Sequence, residues 1–300
     1  MPIMNMKTTV KHSLFVLLTA MMPMGAIHAA TLVWSEDFDL LVPTDTITTS
    51  NTNFDRVNER SDLGGSITLI ASTVESGSSM RLTGATSSDS GAFVGAGGIG
   101  TMTVMSVGFS VKMESLESGI LGFYMGNGNT VAGNFGNNSR NSTHFLWDVA
   151  VQASTGKLQY MNSLGVYQDT GFVLQEGTAY EFLIQVNAEG TEVDGVAASS
   201  MNIYVDGGVQ ASGLELRGGT ANANGFRMGG RSASTDGLIG EIDNIRIWNG
   251  IQAVPEPSVA GLLLGSAVCL MMQRRRKMAA RECGMIRTTD AAFTIQCDLR

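Results

Sequence analysis

Leu238-Ile239-Gly240-Glu241-Ile242-Asp243-Asn244-Ile245-Arg246-Ile247-Trp248 alternates as a β-strand does. Successive side chains of an extended chain point to opposite faces. Ile239, Glu241, Asp243, Ile245 and Ile247 therefore fall on one side, and Ile242, Asn244, Arg246 and Trp248 on the other. The end of this stretch is apolar on both faces, which places it inside a sheet rather than at an edge. Its neighbours have the same texture. In Tyr180–Asn187, Tyr180, Phe182, Ile184 and Val186 face one way, and Glu181 and Gln185 the other. In Thr143–Gln152, Phe145, Trp147, Val149 and Val151 share one face, and His144, Leu146, Asp148 and Ala150 share the other.

Working outward, strands are predicted at 32–38, 66–71, 79–83, 91–94, 101–113, 119–125, 143–152, 157–161, 180–187, 201–205, 225–228 and 238–248. No stretch between residues 31 and 253 carries a helical repeat. Val205-Asp206-Gly207-Gly208-Val209 predicts a two-residue hairpin, because Asp-Gly or Gly-Gly supplies the positive φ that such turns need. Ser154-Thr155-Gly156 and residues 187–190 read as further turns. About a dozen short strands without a βαβ pattern imply an all-β domain of two packed antiparallel sheets.

Charge narrows the partners. The whole chain of 300 residues has a formal net charge of −8, but residues 31–253 hold 10 Lys and Arg against 23 Asp and Glu, a net of −13. Nucleic acids and anionic lipids need clustered cations, so neither is expected as a partner. The three cysteines, Cys269, Cys283 and Cys297, all lie outside residues 31–253. The domain therefore has no disulfide, thiol nucleophile or cysteine-ligated zinc, and its core alone must hold it.

Both ends carry address segments. Lys7 and Lys11, the apolar run 13–24 and the small residues Ala29-Ala30 are laid out as a secretory signal peptide over residues 1–30. Residues 254–277 read VPEPSVAGLLLGSAVCLMMQRRRK, a Pro-Glu-Pro kink, an uncharged apolar run and a block of Arg274, Arg275, Arg276 and Lys277. Residues 257–273 would rise about 25 Å as a helix, the short end of what spans a bilayer. The basic block puts the far side in the cytoplasm and the acidic domain outside. Residues 278–300 form a tail without a readable pattern.

Two resemblances enter here. Tyr180-Glu181-Phe182-Leu183-Ile184, Asn202-Ile203-Tyr204-Val205-Asp206-Gly207 and the closing stretch Gly240–Gly250 resemble the laminin-G/concanavalin A-like jelly roll. Val254-Pro255-Glu256-Pro257 with the apolar run and Arg274, Arg275 and Arg276 resembles the PEP-CTERM sorting signal of Gram-negative envelope proteins. The jelly-roll resemblance implies a sandwich over residues 31–253 and a structural calcium tying the first strand to the last, with Asp37 and Asp243 nominated and Glu36 as a substitute. The PEP-CTERM resemblance implies export by the Sec machinery, a transmembrane hold through the C-terminal helix, processing by an exosortase, and delivery to the cell envelope or extracellular matrix.

For function, two classes compete. The first is a non-catalytic envelope or matrix protein contacting polysaccharide through the Asn- and Gly-rich stretch 126–143, with Asn134, His144 and Trp147 as ligand contacts; Trp147 reads more readily as core. The second is a laminarinase-like glycoside hydrolase using Glu241 and Asp243. Such enzymes read Glu-x-Asp-x-x-Glu on the catalytic strand, but Arg246 stands at the last position here, and an arginine cannot shuttle a proton at neutral pH. His144 is the only histidine of the domain, and Asp148 lies about 13 Å further along the strand, so no Ser-His-Asp triad forms. Gly95–Gly100 lacks the lysine and following helix of a phosphate loop. The expectation is a protein that is not an enzyme.

Overall fold

The computed structural model describes residues 29–254, apart from 44, 60, 75, 87–91, 117, 128–143 and 233–238. Residues 1–28 of the expected signal peptide, Pro255, Glu256, Pro257, the arginine block, Asn134 and the tail lie outside the described residues. No helix among the described residues is long and apolar enough to cross a membrane.

Among the described residues, sixteen strands run in chain order: β1 (Thr31–Glu36), β2 (Arg56–Asn58), β3 (Ser66–Ala71), β4 (Ser78–Thr83), β5 (Ala85–Thr86), β6 (Ala92–Met102), β7 (Val104–Ser115), β8 (Ile120–Gly126), β9 (Phe145–Gln152), β10 (Lys157–Met161), β11 (Tyr167–Val173), β12 (Ala179–Asn187), β13 (Ser200–Val205), β14 (Gly208–Glu215), β15 (Ala223–Ser232) and β16 (Ile239–Asn249). They form two eight-stranded sheets. Sheet I has the order β14-β13-β12-β7-β16-β4-β3, with β1 also on β16. Sheet II has the order β11-β10-β9-β8-β15-β6-β2, with β5 on β15. All pairings are antiparallel except the two-residue β5–β15 contact.

The expected all-β, two-sheet architecture is what forms. The closing strand β16 is central, bounded by β7 on one side and by β4 and β1 on the other. The Asp206-Gly207 hairpin also forms, with φ of 51° and 74° and Val205 paired to Gly208. Residues 95–100, which lack a phosphate loop's signature, lie within β6. Residues 187–190 do not make a tight turn. They open a longer connection to β13, gathered by Asn187, whose amide donates to the carbonyls of Thr191, Val196 and Ala197.

Between the sheets lies one apolar core. Phe109 of β7 stacks on Phe182 of β12 with ring centroids 5.2 Å apart, and on Phe123 of β8 across the sandwich at 4.1 Å. Such pairs add specific ring contacts to the area they bury. Trp34, Phe38 and Phe54 close the end nearest the first strand.

Two bulges correct the simple alternation. On β16, Asp243 pairs with Ser110 and Arg246 with Gly108, so two residues of β16 oppose one of β7. Asn244 takes φ of 52°, the left-handed region. Glu241 and Asp243 therefore leave the core face, while Ile242, Ile245 and Ile247 all enter it. On β9, Leu146 is the extra residue between Trp147, opposite Met125, and Phe145, opposite Gly126. Leu146 joins Trp147 in the core, and Phe145 turns outward beside Tyr124. A Cβ on Gly126 would fall 1.9 Å from the His144 carbonyl oxygen, so only glycine lets the two strands close at this bulge.

The β16 bulge yields a stability prediction. Asn244→Val is expected to lower the unfolding free energy by about 1–2 kcal/mol, because a β-branched residue is strained at positive φ. Asn244→Gly should stay within about 0.5 kcal/mol of the parent. Urea denaturation of both variants checks this, and equal stabilities would remove the strain argument.

Candidate functional site

The outer face of sheet I is a grid set by strand register. One row reads Tyr204, Leu183, Gly108 and Arg246, each opposite the next on β13, β12, β7 and β16. The adjacent row is acidic. Glu181 is opposite Ser110, and Ser110 opposite Asp243. Asp206, at the hairpin, joins Glu181 by accepting its backbone N–H at 2.8 Å. On the other side lie Asn202, Gln185, Ser106 and Trp248.

Gly108 makes this face a groove rather than a flat sheet. A Cβ there would lie 3.0 and 3.1 Å from the Trp248 ring atoms Cζ3 and Cη2. Without it the half-buried indole settles against the β7 backbone. The groove measures about 360 Å³, with Trp248, Tyr204, Arg246, Asn244, Glu181 and Asp206 among its walls. Arg246 donates through Nη2 to Asn244 Oδ1 at 3.1 Å, which turns the guanidinium along the strand. An aromatic ring beside planar donors and carboxylates can hold a ligand by one apolar face and several hydroxyls.

The last described residues wall one end. Gly250 N–H donates to the Val104 carbonyl, Gln252 N–H to Ser106 Oγ at 2.8 Å, and Gln185 Nε2 to the Gln252 carbonyl at 2.8 Å. The chain thus crosses the outer face of sheet I after β16, and Gln252, Ala253 and Val254 border the groove. Val254, the last described residue, lies at the groove's edge.

Glu241 and Asp243 sit further along the same face but are closed off, at 0% and 1% exposure. Glu241 accepts from Thr73 N–H at 2.5 Å, from Thr73 Oγ1, and from Ser79 Oγ at 2.7 Å. Lys112 Nζ holds Thr73 Oγ1 at 2.7 Å. Burial pulls the Glu241 carboxyl up, but the Thr73 and Ser79 hydrogen bonds and the Lys112 charge together outweigh it and hold the group below the ordinary glutamate range. Asp243 accepts from Ser72 Oγ at 3.2 Å and Asn244 N–H at 2.8 Å. The pair therefore fastens residues 72–73 to β16.

The nominated calcium ligands are distributed as follows. Asp37 is exposed, one residue beyond the last β1–β16 pair, Glu36 with Ile245. Glu36 is buried and accepts from Asn53 N–H at 2.6 Å and Phe38 N–H at 3.3 Å. Burial pushes its carboxyl above the ordinary range, against those two N–H groups. Among the described residues no group of three or more His, Cys, Asp or Glu is arranged to hold a metal ion. Asp243 and Glu36 are both buried and engaged by protein donors, so Asp37 is the one exposed carboxylate of the nominated set.

The expected ligand residues of the other face do not assemble. Trp147 is fully buried in the core, so its ring reaches no groove. This corrects its nomination: the core reading of Trp147 holds. His144 is exposed, and its carbonyl accepts from Asn127 N–H at 3.0 Å. The outer face of sheet II is instead a packed polar and aromatic layer. Arg227 lies 4.1 Å from the Phe93 ring centroid and 5.8 Å from that of Tyr124, Arg217 lies 5.2 Å from that of Phe145, and Tyr167 Oη donates to Asp148. Sequence reasoning missed the groove on sheet I. Its one legible signal was Trp248 sharing a face with Arg246 and Asn244 in an otherwise core-forming strand.

No family model and no curated protein matches the chain. Among solved structures, it is similar to domain 4 of AbnA, a GH43 extracellular arabinanase from Geobacillus stearothermophilus, in complex with arabinotriose (TM-score 0.42, 17% identity, 75% of this chain and 95% of that one). It is also similar to the cellulose induced protein Cip1 (TM-score 0.47, 15% identity, 73% and 99%). A third is the binding domain of botulinum neurotoxin DC in complex with SialylT (TM-score 0.46, 14% identity), of which the chain spans about half the length. These likenesses are distant, and no ligand is transferred from them.

Proposed function

We propose that the protein is an exported, non-catalytic component of the cell envelope or extracellular matrix, which binds polysaccharide through the Trp248 groove of a concanavalin A-like jelly roll. The observation that carries this reading is the half-buried indole seated on Gly108 in a groove that Tyr204, Arg246, Asn244, Glu181 and Asp206 also line. Two sheets of eight strands with the first strand paired to the last are consistent with the jelly-roll resemblance. The burial of Glu241 and Asp243 under residues 72–73 favours binding over hydrolysis, since a retaining glycosidase needs two carboxylates open to the sugar. A glycan array run beside a β-glucan hydrolysis assay tests the choice. Binding without turnover is expected; hydrolysis abolished by Glu241→Gln would overturn it.

Delivery is part of the same proposal. The Sec machinery would export the chain, the apolar stretch after Pro257 would hold it in the membrane, and an exosortase would process it at Val254-Pro255-Glu256-Pro257. The ties of Gly250 and Gln252 to sheet I support a domain boundary near Ala253. The mature protein is expected to begin near Thr31 and end close to Pro257 by mass spectrometry. A mature mass running through Arg300 would refute the processing.

A structural calcium held from Asp37, the exposed member of the nominated set with Asp243 and Glu36, belongs to the proposal as a stabiliser of the first strand, since hard cations take carboxylate oxygens. Calcium at millimolar concentration is expected to raise the melting temperature of the parent and not of Asp37→Asn. No shift in the parent would remove calcium from the account.

A further inference from the structure

We infer that the Trp248 groove selects a polysaccharide carrying free amino groups, a chain of deacetylated amino sugars, over a neutral or acidic one. This inference rests on the glycan-binding reading of the groove and names its substrate class. The argument is charge complementarity around an aromatic floor. Glu181 and Asp206 are exposed side by side on one wall, joined by Glu181 N–H to Asp206 Oδ1 and by Asp206 N–H to the Glu181 carbonyl. These contacts hold the two carboxylates at one end of the groove. The register continues that row inward through Ser110 to Asp243. Arg246 is the cation of the groove wall; it stands on β16, two strands away from Glu181 on β12, with its Nη2 directed along its own strand to Asn244 Oδ1.

A chain with one sugar stacked on Trp248 would thus meet hydroxyl-binding donors at Arg246 and Asn244, and its further sugars ammonium-binding acceptors at Glu181 and Asp206. An ammonium group near an aromatic face gains further from the ring's negative π surface. The surrounding domain, at a net charge of −13 over residues 31–253, attracts a polycation and repels uronate or sulfated chains.

The test is calorimetric titration of the soluble domain with a glucosamine tetramer and its fully N-acetylated counterpart, at mildly acidic pH where the free amines are charged. The glucosamine tetramer is expected to bind about tenfold tighter, the scale of two exposed charge pairs acting together. Glu181→Gln and Asp206→Asn should each shrink that preference while leaving the acetylated tetramer unchanged. Asp206→Asn keeps the oxygen that accepts Glu181 N–H, and unchanged melting temperatures confirm that both variants fold. Glu192→Gln, an exposed carboxylate outside the groove, should leave the preference intact.

Equal or tighter binding of the acetylated tetramer overturns the inference and leaves the glycan-binding reading standing. A Glu192→Gln loss as large as that of Glu181→Gln overturns it too, since it reduces the effect to general attraction. An oligolysine peptide binding as tightly as the glucosamine tetramer would assign the groove to a basic protein segment and overturn it as well. If Trp248→Ala changes the binding of no glycan, the glycan-binding reading fails and the inference with it.

Discussion

Glu241→Ala is expected to lower the unfolding free energy by about 3 kcal/mol and the melting temperature by about 6–12 °C. The carboxylate is fully buried and accepts from Thr73 N–H, Thr73 Oγ1 and Ser79 Oγ, with Lys112 held against Thr73. Removing it leaves the Thr73 N–H without its acceptor and Lys112 without the charge it faces, and an unsatisfied buried donor costs more than the bond itself was worth. Glu241→Gln keeps the shape and one acceptor oxygen and should cost less. The pH dependence has a fixed sign. The native carboxyl titrates below its ordinary value, so its contribution is complete above the unfolded-state value. It is lost as pH falls from there through the lowered native value. Urea denaturation across that acidic window should show a steeper loss in the parent than in Glu241→Gln. A Glu241→Ala cost under about 1 kcal/mol, or parallel pH profiles, would refute the clamp.

Trp248→Ala is expected to weaken polysaccharide binding by about 2 kcal/mol, roughly thirtyfold, while leaving the fold intact. The ring is half-buried on the outer face of sheet I, so its loss opens no cavity in the core between the sheets. Gly108→Ala provides an independent check, because the new Cβ would press on Cζ3 and Cη2 of the indole without removing it. Binding should fall by less than in Trp248→Ala, since the ring must shift by only a few tenths of an ångström. Glycan binding unaffected by Trp248→Ala would move the site elsewhere, whereas a collapse of the melting temperature would show the ring to be structural.

Much of the fold was legible from alternation. The strand 66–71 was expected with the bounds it has, and β16 was placed inside its sheet because its last residues are apolar on both faces. The missed strands explain themselves. β11, Tyr167–Val173, and β14, Gly208–Glu215, carry Gln168, Asp169 and Gly171, and Gln210, Ser212 and Gly213, in edge positions, where both faces tolerate polar residues and the period-two signal fades. β2 and β5 are too short to show any period. The faces failed at the two bulges for one reason. An inserted residue reverses inside and outside for everything beyond it, and neither Asn244 nor Leu146 announces that reversal locally.

The candidate site was less legible. His144 and Trp147 were chosen for their chemistry, but burial assigns Trp147 to the core and register leaves His144 at a strand end. The six residues at the groove come from three separate strands and a hairpin, more than 60 positions apart at the extremes. No local pattern can report a meeting that depends on strand order.

By itself, the sequence determined what is written in local periodicity and composition: an all-β domain, its Asp-Gly hairpin, its acidic charge and its lack of disulfides. Only the tertiary structure decided which carboxylates are open and which are sealed. Glu181 and Asp206 face solvent, while Glu241 and Asp243 are closed under residues 72–73. The physical reason is that exposure belongs to the packed assembly rather than to a residue. The β16 bulge turns Trp248 outward onto Gly108, a position made vacant by a glycine on a neighbouring strand 140 residues earlier in the chain.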